Sequence, residues 1–369
     1  MARFVRVCPF CDFCPSLSSS SSSSFPMSFI SAWCLVIVSL CYTYVVSQLV
    51  SKGIGRMILF TPVFLYFFIV PLSLSNIHAV GITAFFISWL ANFKLFLFAL
   101  GRGPLSSNST PISLPIFLFV SCLPVTIHLS PKPTTSYSHG GSKEGLLYYT
   151  IMATLLVLLI KVYEYTTKLP DKAVLTLFAI HIYLFLELTL FATATVVRAL
   201  SGLELEPQFN KPYLATSLQD FWGRRWNLAV TGILRPTVYE PMVQLLSFLD
   251  PNWSRVLAVF ATFVVSGLMH ELIFFYMGGL MPDWKIMWFF LVHGLCTTVE
   301  IAIKRRVNGR WRFPIGVSRV LTFGFLMVTS LWLFMPVFNR GNIFERTLEE
   351  YTYAGAGVAE IKTIIASLL

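Results

Sequence analysis

Of the 369 residues, 56% are apolar and only 12% are charged, against roughly 25% charged in an ordinary soluble domain, and the mean hydropathy is +0.73. This excludes a soluble globular enzyme and points to a chain that crosses a membrane many times. The net charge of +10 comes from Lys and Arg spread over short loops between apolar runs, the bias of cytosolic loops and not of a nucleic-acid-binding surface.

Taken in chain order, residues 1–26 hold a serine run at 18–24 that has no means of forming a core, and they read as a disordered leader. Cys8, Cys11 and Cys14 have a spacing seen in iron-sulfur ligation, but a fourth ligand is missing and the spacing is read as chance. Apolar runs then cover 27–50, 57–74, 77–100, 145–163, 173–198, 255–276, 285–303 and 317–338, each near the ~20 residues a helix needs to cross the hydrocarbon. The expectation is an all-α polytopic domain over 27–340 with eight spans, followed by a short C-terminal tail at 341–369.

Two further segments are less regular. Residues 112–129 are apolar but interrupted by Pro115 and Pro124, which suits a broken or re-entrant element shielded by neighbours, and 236–249 is ambiguous between a span and a surface helix. Placing Lys52, Arg56, Lys94, Arg102, Lys304, Arg305, Arg306, Arg310 and Arg312 in the cytosol gives one orientation. It requires 112–129 to return to its own side, puts the loop from Arg198 to Pro236 in the cytosol, and leaves the sequons at Asn108 and Asn252 unglycosylated. Lys168 and Lys172 then fall in the lumen, its one poor fit.

Ionisable groups inside lipid are costly and are functional candidates by default. In the run 255–276, Thr262, Ser266 and His270 recur every four residues and form one polar stripe, with Gly267 beside it allowing a close helix approach. Glu271 follows His270, but Phe274 stands where the zinc signature H-E-x-x-H needs its second histidine, so a metalloprotease is rejected. His293, Thr297 and Glu300 form a competing stripe in the next span, whereas His181 and Glu187, six apart, fall on different faces.

The stretch from Lys211 to Asn227 is the least lipid-like part of the region that follows. Drawn as one helix, it puts Asp220, Arg224 and Asn227 on one face and Trp222 and Trp226 on another. Tryptophans at that spacing suit the headgroup level, where Arg224 and Arg225 either anchor the helix or hold an anionic lipid or phosphorylated ligand. A polar amide and paired arginines, followed 43 residues later by a buried histidine, suit a reaction between a water-soluble phosphorylated donor and a lipid acceptor.

Several stretches carry a resemblance: 89–94 (WLANFK) with 103–105 (GPL), 212–227 (PYLATSLQDFWGRRWN) running to 235–241 (RPTVYEP), 266–271 (SGLMHE) and 293–300 (HGLCTTVE). Across most of residues 28–340 the chain resembles the plant wax synthases, long-chain-alcohol O-fatty-acyltransferases of the membrane-bound O-acyltransferase superfamily. The resemblance implies that His270 is the catalytic base and Asn227 its partner, with His293 supporting or structural. It implies a fatty acyl-CoA donor, a long-chain alcohol acceptor taken from the bilayer, wax ester as product, and an endoplasmic-reticulum membrane location, with no metal and no cofactor apart from the acyl-CoA substrate. Sterol O-acyltransferases look like the same family and are the alternative. A transporter with His270 and Glu271 along an ion path is more remote, since no inverted repeat is evident.

The chemistry asked of these residues is modest. An acyl thioester is already activated, so ester formation needs only a hydroxyl freed of its proton beside the carbonyl. Asn227 would donate to the developing oxyanion or orient the imidazole. Glu271, about 100° round the helix, would act electrostatically or pack elsewhere, and Lys211, Arg224 or Arg225 would meet the phosphates of the donor.

Overall fold

A computed structural model describes residues 27–106, 112–124, 143–201, 205, 207–307, 313–353 and 355. The serine-rich leader, its three cysteines, Asn108, Arg310, Arg312 and the end of the expected tail lie outside the described residues. The described chain is helical, with no strand. The first two spans are α1 (Phe29–Leu49) and α2 (Ile54–Ile69), the latter extended by a 3-10 turn. The third is composite: α3 (Ile77–Thr83), a π-helical segment Ala84–Ala91, and α4 (Asn92–Ala99). After α5 (Leu114–Cys122) come the long helices α6 (Lys143–Val162) and α7 (Asp171–Ser201).

Short helices α8 (Leu218–Arg224), α9 (Leu228–Leu234) and α10 (Glu240–Leu245) lead into the pair α11 (Pro251–Gly278) and α12 (Lys285–Val307). The last span starts as α13 (Ile315–Thr329), widens into a π segment at Ser330–Phe334 and tightens to 3-10 at Met335–Asn342. Eight helical stretches among the described residues are long and apolar enough to cross a membrane, in the eight places the apolar runs mark. Their outward faces carry large apolar side chains such as Leu49, Ile30 and Val320, each more than 70% exposed, as expected of surface that lipid covers.

Three details differ from the sequence expectation. The chain stays helical and packed past residue 340, with Ile343 and Thr347 buried. Within the described part of 112–129, residues 112–124, stands the nine-residue α5, which at 1.5 Å per residue is about 14 Å long and too short to cross ~30 Å of hydrocarbon. Residues 236–249 form a π turn and the six-residue α10, neither with a buried side chain, lying against α11.

Charged groups within the bundle close helix ends. Lys94 is buried and not a loop cation: its ammonium donates to the carbonyls of Val120 (2.7 Å) and Leu123 (2.6 Å) at the end of α5. Arg56 does the same for α1, donating to Ser47 O at 3.0 Å and Val50 O at 2.7 Å. Carboxylates act on the opposite ends. Glu350 accepts from the backbone N–H groups of Ile77 and His78 at the start of α3, and Glu300 accepts from Leu218 N (2.8 Å) and Gln219 N (3.4 Å) at the start of α8. Helix termini leave backbone groups unpaired, and lipid offers them nothing; oppositely charged side chains borrowed from other helices satisfy them and complement the helix dipole.

The α11–α12 pair sets the depth of the site, and two glycines let it close. A Cβ at Gly294 would lie 2.9 Å from Phe263 Cβ, and one at Gly267 would lie 2.6 Å from Met287 Sδ. Met287 can swing its flexible end aside, whereas the root of Phe263 cannot move without its helix. Gly294→Ala is therefore expected to cost roughly 1–3 kcal/mol, the usual range for overpacking a core, and Gly267→Ala clearly less. Thermal unfolding of the two purified variants in one detergent checks the order.

Candidate active site

His270 sits on α11 at the level where three other helical stretches converge. Its ring is packed by Trp89 of the π segment Ala84–Ala91 (ring centroids 5.2 Å apart, planes at 77°), by Phe290 of α12 (4.4 Å) and by Phe334 of the π segment Ser330–Phe334 (6.0 Å). Two of these three neighbours stand on π segments, features that recur at functional sites. His270 Nδ1 lies 2.7 Å from the backbone carbonyl of Ser266. A carbonyl can only accept, so Nδ1 carries the proton and the neutral ring keeps its lone pair on Nε2. Among the described residues no protein group is placed against that lone pair, while the residue as a whole is half-buried. Such a ring can take a proton from something that enters.

The polar stripe on α11 resolves differently from its sequence reading. Ser266 serves through its carbonyl and not its hydroxyl, and the Thr262 hydroxyl turns back to Val259 O at 2.6 Å. Glu271 is buried, but its carboxylate accepts from Met287 N at 3.0 Å and caps the start of α12. It braces the partner helix and does not touch the imidazole of its neighbour in sequence.

His293, the competing histidine, is fully buried with both nitrogens engaged. The indole N–H of Trp222 donates to Nδ1 at 3.2 Å, so Nε2 bears the proton and donates to the Thr329 hydroxyl at 2.8 Å, which donates on to Phe325 O at 2.7 Å. No lone pair is left for chemistry. Trp222 in turn packs on Phe263, Phe289 and Phe290, the last of which touches His270.

The stretch 211–227 is not one helix. α8 stops at Arg224, and Asn227 starts α9 from a left-handed conformation at φ 43°, which asparagine tolerates better than most side chains. Asn227 therefore leaves the face expected to hold Asp220 and Arg224. Its Oδ1 accepts from Val230 N at a long 3.4 Å, so the amide NH2 is the end free to donate elsewhere. Val230 and Leu234 of α9 pack in one cluster with Trp89 and Met269, the residue before His270. Asn227 thus caps the helix that packs beside Met269, and no hydrogen bond joins it to His270 among the described residues.

Two expectations for the basic and aromatic residues change. Arg225 is spent internally: Nε donates to Asp220 Oδ2 at 2.7 Å and Nη1 to Asn210 O at 3.2 Å, while Asp220 also accepts from Thr216 N. That leaves Lys211 and Arg224, both exposed, as the cations able to meet an anionic group. Trp226 is no membrane anchor, since it packs among Phe209, Phe221 and Tyr183. The His270 wall formed by Trp89, Phe290 and Phe334 is invisible to spacing rules, although Trp89 stands in a stretch that carries the resemblance.

The profile of the membrane bound O-acyl transferase family matches residues 205–292, which hold both Asn227 and His270. The chain is 69% identical over 342 residues to acyl-CoA–sterol O-acyltransferase 1 of Arabidopsis thaliana, covering 93% of this chain and 99% of that one. The chain belongs to the membrane-bound O-acyltransferase family. Further relatives are the long-chain-alcohol O-fatty-acyltransferase of Simmondsia chinensis, 42% identical over 88% of this chain and 93% of its own, and a probable long-chain-alcohol O-fatty-acyltransferase 3 of Arabidopsis thaliana, 41% identical over the same shares. The family member is a multi-pass membrane acyltransferase that uses acyl-CoA and a lipid acceptor. The expectation of a wax synthase is corrected here: identity to the sterol enzyme exceeds identity to the wax-type enzymes by 27 points (69 − 42) over nearly the whole chain.

Proposed function

We propose that the protein is an acyl-CoA-dependent sterol O-acyltransferase of the endoplasmic-reticulum membrane, with His270 as general base and Asn227 as hydrogen-bond donor to the reacting acyl group. The observation that carries the chemistry is the His270 ring, its proton fixed on Nδ1 by the Ser266 carbonyl and its Nε2 lone pair free. The acceptor hydroxyl oxygen attacks the thioester carbonyl as its proton passes to Nε2. The carbonyl oxygen takes up negative charge, stabilised by the Asn227 amide. The C–S bond then breaks, the ester forms, and the leaving thiolate takes the proton from His270, returning the ring to its starting state as free CoA departs. Base catalysis of this kind contributes about 10²–10⁴-fold.

The acceptor assignment is supported by the 69% identity to the Arabidopsis sterol enzyme. Lys211 and Arg224 are the exposed cations suited to the donor's phosphates. The test is expression in yeast lacking sterol-ester and triacylglycerol synthesis, with microsomes given labelled acyl-CoA together with either a sterol or a C16–C18 alcohol. Labelled sterol ester is expected to exceed any other product by at least roughly tenfold, a difference of ~1.4 kcal/mol in transition-state binding. Labelled product only from the straight-chain alcohol would overturn the assignment.

A further inference from the structure

Trp89 is fully buried in the π segment Ala84–Ala91, and its indole N–H has no hydrogen-bond partner among the described residues. Two other indoles are satisfied: Trp33 donates to the Thr83 hydroxyl at 3.0 Å and Trp222 to His293. A buried donor left unpaired is unfavourable, and in a native protein it calls for an explanation. Its surroundings supply one. The ring stands edge to face with His270 at 5.2 Å, and the cluster it centres contains Met269 of α11 and Val230 and Leu234 of α9, the helix that Asn227 caps. The segment is wound as a π helix, which departs from the regular turn at the point where the indole meets the histidine.

We propose that Trp89 is a further catalytic residue, whose indole N–H donates a hydrogen bond to the acyl carbonyl oxygen as it becomes an oxyanion. This rests on the reading of His270 as base. When the hydroxyl oxygen bonds to the carbonyl carbon, the π electrons of the C=O move onto oxygen. An oxyanion is held best by two donors fixed in advance, and Asn227 supplies only one of them. The indole N–H is neutral and shielded from water, and its ring is held edge to face by Phe85 and His270, so the donor is fixed before the charge appears. The charge returns to the C=O bond when the C–S bond breaks, and the donor is then ready for the next turnover.

The test compares three purified proteins with the wild type: Trp89→Phe, a protein carrying 3-benzothienylalanine at position 89, which keeps the bicyclic ring and replaces N–H by sulfur, and His270→Ala. Loss of the donor is expected to lower kcat by roughly tenfold or more in both position-89 proteins, with the KM for acyl-CoA and the binding of a non-hydrolysable acyl-CoA analogue kept within about twofold. Wild-type kcat in the benzothienylalanine protein would overturn the proposal, as would a rise in KM at unchanged kcat, which would make the indole a wall only. Where Trp89→Phe does not fold, the benzothienylalanine protein decides alone. Full activity in His270→Ala would remove the base and this proposal with it. An inactive His270→Ala beside wild-type rates at position 89 would remove only the proposal.

Discussion

Replacing His270 with alanine is expected to lower ester formation by about three orders of magnitude in kcat, the middle of the range for a positioned base, while the protein still folds. The two halves of this expectation have different structural origins. The ring makes one hydrogen bond within the protein, to the carbonyl of Ser266 on its own helix. That carbonyl also has the ordinary helical partner available, so losing the ring breaks no link between helices. The space left is bordered by the buried rings of Trp89 and Phe290 and the half-buried Phe334, a local void that leaves the helices joined by their other contacts. Turnover of labelled acyl-CoA by purified variant and wild type, each shown monodisperse in detergent, measures the effect. Activity within tenfold of wild type would remove His270 from the chemistry.

His293→Ala is expected to fail in the opposite way. The ring is wholly buried and ties three helices through both nitrogens, from Trp222 on α8 to Thr329 at the end of α13. Its removal strands the Trp222 N–H, leaves the Thr329 hydroxyl without its donor, and opens a cavity. Together these cost about 3 kcal/mol or more, taking ~1–3 for an unsatisfied buried donor and a comparable term for the void. The variant should show a lowered unfolding temperature and reduced yield, with the activity per folded molecule falling far less than in His270→Ala. Equal loss per folded molecule in the two variants would mean that His293 takes part in the reaction and does not merely hold Trp222.

Why one histidine is read as reactive and the other as structural was not legible in their spacing. Both stand in polar stripes at helical intervals, and the sequence offers no view of what the ring nitrogens meet. The eight spans were legible, because composition alone sets where a chain can cross lipid and each crossing is a local property. The family was legible through the motifs, the same ones that single out Asn227 and His270 as candidates. The acidic residues were not. Glu271, Glu300 and Glu350 cap helices through amides 16, 82 and 273 residues away in sequence, and no local pattern announces such a partner. Lys94 and Arg56 were misplaced for the same reason, since the charge rule for loops does not distinguish a loop cation from one folded inward onto carbonyls. The break after Arg224 was missed because helical spacing was extended across an asparagine that begins a new helix. Acceptor size is the property of a cavity assembled from several helices, and motifs shared by the whole family do not encode it.

The carboxylate of Glu350 has a consequence for how the molecule is made. The amides of Ile77 and His78 leave the ribosome some 273 residues before the side chain that satisfies them. Throughout translation the third span must therefore wait at one end with bare peptide groups, held near water or by the insertion machinery. The final helix completes it, as Glu350 reaches those amides and the His78 ring (2.6 Å) while the adjacent Tyr351 hydroxyl meets His78 and His181 (3.1 Å each). Biogenesis thus ends with a clasp, and a chain cut short before residue 350 would reach the bilayer with all eight hydrophobic stretches and still lack the closure that makes them one body.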